Sequence, residues 1–226
     1  MLRAYAHQPA DVATLTELTL PFCDAILAFY ETRYARRPDG TLYLSPAQAL
    51  ETYPKCDNPS PEVAGLHRIL QMLVALPTSA KGGAVTPAAH ARYLKLRASL
   101  PPIPLRTLEA TIKGSSPKGE VVSPCRLGGL TNLSDVQNHE NPELYPIWPF
   151  AYFTGRNGGD WQQADVGNRT YAARRWPFNG AWGYDGPVSA TLGRADEAYR
   201  SARDRLTGQG TTQGSRFPGY LVTHSG

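Results

Sequence analysis

Only three cysteines and two methionines occur in the 226-residue chain, and no apolar run approaches the ~20 residues that a membrane-spanning helix needs. Cys23, Cys56 and Cys125 lie far apart and match no zinc or redox spacing, so buried thiols are expected, with one disulfide as the alternative. No long apolar stretch follows the arginine of Met1-Leu2-Arg3-Ala4-Tyr5-Ala6-His7, so neither a signal peptide nor a membrane partner is expected; localisation stays open. Charge of one sign is missing too. The formal net charge is +4, and Arg200, Arg203 and Arg205 alternate with Asp196, Glu197 and Asp204, a solvated face rather than a phosphate track. Nucleic acid is therefore not an expected partner. Phosphate-binding loops, Ser/His/Asp orders and metal-ligand spacings are absent, so no cofactor and no metal are expected.

Helical periodicity is abundant. With 41% hydrophobic and 19% charged residues the chain reads as globular. From Thr14 to Arg33, Leu15, Leu18, Phe22, Ile26 and Phe29 recur at three- and four-residue spacings, one buried stripe interrupted at Pro21 by a kink or a junction of two helices. Ser60-Pro61-Glu62 and Thr86-Pro87 each place a capping hydroxyl before a first-turn proline. A further helix is expected from about Asp160 to Arg174, and a last one from Pro187 with Val188, Leu192, Tyr199 and Leu206 on its inner face. Residues 101–137, rich in Pro, Gly and Ser, read as a long irregular loop, and residues 207–226 as an irregular tail. The expectation is one all-α domain over 1–226, built from about six or seven helices paired as hairpins.

The loops carry the chemistry. In "NHENPELYPIWPF" (138–150) acids, amides and an imidazole run directly into Tyr, Trp and Phe. Sugar rings present apolar C–H faces that lie on aromatics and hydroxyls that want Asp, Glu and Asn, so the pattern suits a carbohydrate. Hydrolysing a glycosidic bond needs a carboxylic acid for the leaving oxygen and a second carboxylate across the ring. Glu51, Glu140 and Glu143 are the catalytic candidates, with Glu51 as general acid and Glu140 or Glu143 as base. Asn138, His139, Asn141, Tyr145, Trp148, Trp176, Trp182 and Asp185 are the substrate-binding candidates. Each has a plainer role beside it. Glu51 reads equally as a surface acid, Glu140 and Glu143 as caps of a helix begun by Pro142, Asp185 as part of an Asp-Gly-Pro turn, and the rings as core.

Three stretches together resemble the six-hairpin glycosidases near glycoside hydrolase family 95, known as α-L-fucosidases and α-L-galactosidases. Leu44-Ser45-Pro46 is similar to the start of that family's Leu-Ser-Pro-Glu-Asn stretch, which holds the general acid; here Ala47-Gln48 replace Glu-Asn and Glu51 is the nearest acid. The family's His-Arg-His-Leu-Ser-His-Leu-Tyr-Ala-Leu-Tyr-Pro run aligns on Leu144, Tyr145 and Pro149, with Trp148 for its last Tyr and Asn138, Glu140 and Glu143 at its three His positions. Gly180-Ala181-Trp182, followed by Leu192-Gly193-Arg194-Ala195-Asp196-Glu197-Ala198, is similar to the family's Trp loop and the helix behind it. A nearer resemblance is to bacterial proteins of unassigned activity that carry Asn-x-Glu-Asn-Pro-Glu-Leu-Tyr in place of the His run.

The resemblance implies part of an (α/α)6-barrel toroid. The family's base asparagines and their partner Asp fall outside the positions matched here, so a half-barrel that completes itself as a homo-oligomer is expected. The function expected is glycoside hydrolysis. The alternatives are a non-catalytic carbohydrate-binding or assembly fragment, and a polysaccharide lyase using Tyr145 beside His139.

Overall fold

A computed structural model describes residues 2, 12–78, 84–109, 118–154, 161–177 and 183–207. Among them the chain is helix-rich, with six α-helices, and falls into two compact units where the sequence reads as one. The first comprises residues 1–46 and 62–102, the second 47–61 and 103–226. The all-α expectation is corrected: two antiparallel hairpins accompany the helices.

In the first unit a π-helical lead-in, Thr14–Thr19, runs directly into α1 (Leu20–Arg33). Pro21 stands in the first turn of α1, where its missing N–H interrupts the ladder as the wider helix hands over to the tighter one. That extra width turns the helix surface, and the buried residues become Leu15, Thr19, Leu20, Cys23 and Leu27. Of the expected stripe, Leu15 is buried and Ile26 half-buried, and the rest is overturned. Leu18, Phe22 and Phe29 are 52%, 60% and 56% exposed. Two apolar sets at helical spacing compete here, and periodicity alone does not choose between them.

Helix α2 (Ser60–Val74), from Glu62 onward, belongs to the same unit and buries Val63, Leu66, Leu70 and Leu73. Helix α3 (Pro87–Ala98) begins as its sequence suggests, the Thr86 hydroxyl accepting from the Ala89 N–H at 3.2 Å. Tyr93 of α3 is fully buried and donates to Asp24 at 2.9 Å, while Arg92 spans Asp24 and Glu31 of α1 at 3.0 and 2.7 Å.

In the second unit β1 (Ala47–Ala49) pairs with β2 (Tyr53–Cys56), and β3 (Leu105–Leu108) with β4 (Gly119–Val122). The latter pair lies inside the stretch expected to be irregular. Its alternating Leu-Arg-Thr-Leu pairs with Gly-Glu-Val-Val in continuous antiparallel register. The expectation of unpaired thiols is corrected as well: Cys56 and Cys125 form a disulfide, and Cys23 is free and buried. Ala49, Tyr53 and both bonded cysteines make one small core, against which Leu133, Val136 and Trp176 pack.

Helix α4 (Trp161–Ala172) lies on β4, its Thr170 hydroxyl accepting from the Val122 N–H at 2.9 Å. Gly167 is required there, because a Cβ would stand 2.0 Å from the Phe153 carbonyl oxygen. The last helix is two: α5 (Asp185–Thr191) and α6 (Ala195–Thr207), separated at Gly193, whose φ of +78° suits glycine. Tyr199, expected inside, faces solvent on α6. A second small core joins Leu144, Ile147, Tyr171 and Val188, with Trp148, Phe153, Tyr184 and Leu192 packed on it.

Candidate active site

The β1–β2 hairpin turns through Leu50, Glu51 and Thr52, with Leu50 at φ +51°. This tight turn presents the Glu51 side chain to solvent. Thr52 ties the turn to the stretch read as the site: its carbonyl accepts from the Gln137 N–H at 3.1 Å, and its hydroxyl donates to the Glu140 carbonyl at 3.2 Å. Ser60 strengthens the same stretch by donating its hydroxyl to the Pro142 carbonyl at 3.4 Å.

The consequence is a carboxylate pair. Asn138 Nδ2 reaches Glu51 Oε2 and Glu140 Oε2, each at 3.4 Å, two long and weak contacts from one amide. Residues 87 positions apart are thereby brought together. Burial, and then the charge of Glu51, raise the Glu140 carboxyl above its ordinary range.

Asn141 faces the other way. Its amide donates to the Trp176 carbonyl at 2.7 Å and its oxygen accepts from the Trp176 N–H at 3.1 Å, a closed two-bond clamp. Glu143, in the 3-10 turn Pro142–Leu144, sits beneath this clamp and is buried. Burial lifts its carboxyl to about 7; its own N–H, Arg106, the Arg175 N–H and Arg174 pull the other way. Its Oε2 is enclosed without a hydrogen-bond partner among the described residues. Tyr53 lies beside it, its phenol raised by burial and by Glu143 and lowered by a hydrogen bond from the Arg175 guanidinium.

Trp176 is not a bare platform. Its ring packs on the disulfide core, carries the Arg175 guanidinium 4.8 Å from its centroid, and meets the His139 ring at 5.5 Å. The remaining candidates form a separate aromatic group. Tyr184 contacts Tyr145 edge-on at 5.5 Å and Trp148 at 5.0 Å. Asp185 accepts two bonds from Arg174, at 2.9 and 2.8 Å, a nearly buried ion pair that holds the start of α5. Trp182 lies outside the described residues.

Tyr53, Arg106, Arg174 and Arg175 were not singled out from the sequence. The run Arg174-Arg175-Trp176 was the available signal, since a guanidinium next to an indole readily stacks on it. Among the described residues no cluster of three or more His, Cys, Asp or Glu is arranged to hold a metal ion. Compared with protein-family models, curated proteins and solved structures, the chain matches none.

Proposed function

We propose that the chain is a glycoside hydrolase acting through Glu140 and Glu51. The observation that carries this reading is the pair of carboxylates held on the single amide of Asn138, with the proton on Glu140 favoured by burial and by its neighbour's charge. A carboxyl whose proton is favoured by its surroundings, with a second carboxylate close by, is what acid/base glycosidic chemistry requires. The assignment reverses the sequence expectation for Glu51. Glu140 is the general acid, and exposed Glu51 is the base or nucleophile.

Both oxygens lie 3.4 Å from one nitrogen, so they are at most twice that, about 6.8 Å, apart. That ceiling holds for one oxygen of each group, so it accommodates the ~5–5.5 Å of retaining enzymes and also the ~6.5–9.5 Å of inverting ones. In a retaining cycle a Glu51 oxygen bonds to the anomeric carbon as the glycosidic C–O bond breaks, and Glu140 protonates the departing oxygen. Water then gives its proton to Glu140 and its hydroxyl to the anomeric carbon, releasing Glu51. Glu143 and Asn141 act one layer beneath, fixing the Trp176 segment. The half-toroid remains part of this proposal and draws on the three resembling stretches and on the consecutive helices α5 and α6.

A panel of nitrophenyl glycosides and oligosaccharides tests the reading. Glu140→Gln and Glu51→Gln should each cut turnover at least ~10²-fold with little change in melting temperature. Activity that survives both substitutions would sink it.

A further inference from the structure

We infer that Arg175, held over Trp176 whose ring in turn meets His139, forms a subsite for an anionic substituent of the sugar, a carboxylate or a sulfate. The inference rests on the glycosidase reading and names its substrate class.

Arg175 is exposed, yet it is held in place. Its guanidinium carbon lies 4.8 Å from the centroid of the Trp176 indole. The backbone next to it is pinned by the Asn141 clamp on Trp176. A guanidinium held over an aromatic ring is partly desolvated and still offers N–H donors, which favour an anion with two oxygens. No carboxylate neutralises it. Neighbouring Arg174 is taken by Asp185, whereas no ion pair among the described residues involves Arg175. Arg175 is joined to the carboxylate pair through the Trp176 and His139 rings, with no direct ion pair to either carboxylate.

The array is continuous by contact: Arg175 on Trp176, Trp176 against His139, and His139 between Asn138 and Glu140 in the chain. A neutral glycan would leave this rigid fork unused. A uronic acid or a sulfated sugar could engage it while its ring lies along Trp176 and His139 toward the carboxylate pair.

The experiment separates binding from turnover. Calorimetry on Glu140→Gln protein, which retains the subsite, compares oligogalacturonate, a sulfated galactose oligosaccharide and neutral galacto-oligosaccharide. One or both anionic ligands should bind at least about tenfold tighter than the neutral one, and the preference should weaken as salt rises. Adding Arg175→Ala should abolish the preference, and Arg175→Lys should restore only part of it, because a point charge lacks the fork. Circular dichroism verifies that each variant is folded. Equal binding of neutral and anionic ligands, or a preference that survives Arg175→Ala, overturns the inference. Whichever anion is bound identifies its source. Hydrolysis by the wild-type chain is read separately: Arg175-dependent binding with no hydrolysis, or with an unsaturated uronate as product, keeps the subsite and removes the hydrolase reading.

Discussion

Glu143 and Glu62 are two carboxyls raised to about 7 by burial, each with an enclosed Oε2 that has no partner among the described residues. In the unfolded chain such groups release their protons near 4.5. Between the two values the unfolded state binds fewer protons than the folded one, so stability falls as pH rises. The penalty is absent below about 4.5 and complete above about 7, on the order of 3 kcal/mol for each group. Urea midpoints should therefore be higher at pH 5 than at pH 8, and Glu62→Gln with Glu143→Gln should flatten that difference. A midpoint that rises across this window would mean these groups are ionised in the fold. The same scale shows what the sequence could offer. The grouping of Asn138, His139, Glu140 and Asn141 was legible because acids and amides abut aromatics. The opposite directions of Glu140 and Asn141 were not, nor was the Arg174–Asp185 pair, since both depend on partners supplied by folding.

At the scale of elements, helices α2 and α3 were readable because Ser-Pro and Thr-Pro mark helix starts. The β3–β4 hairpin was hidden by its Pro- and Gly-rich surroundings, and β1–β2 by strands of only three and four residues. Helix α1 misled for a different reason: the π-helical lead-in rotates its surface. The outward side carries Leu18, Phe22, Ala25 and Phe29 at spacings of four, three and four, the repeat of a helix–helix seam. This gives the expected self-association a location. Light scattering should return more than the monomer mass, and Phe22→Asp with Phe29→Asp should restore the monomer. Because these rings are mostly exposed, the double variant should lose no more than about 1 kcal/mol of stability. A monomeric wild-type chain would show that this stripe does not pair copies.

On the scale of the molecule, the loop closed by the disulfide contains two of the three passages of the chain between its two units, at 61–62 and at 102–103, and leaves the one at 46–47 outside. The bond spans a sequence separation of 69 residues, for which chain-entropy reasoning gives on the order of 4 kcal/mol. Cys125→Ser should lower stability by about 2–5 kcal/mol and perturb the Glu51 turn through β2, so activity should fall with it. Unchanged stability would mean the bond is not formed in solution. The bond also alters what a protease can accomplish. A cut anywhere between Asp57 and Pro124 breaks the backbone but releases nothing, since both pieces remain joined through sulfur. Such a nicked chain should migrate as one species until reductant is added, then part into two fragments. One would carry Glu51, the other Glu140, and the candidate carboxylate pair would be divided between them.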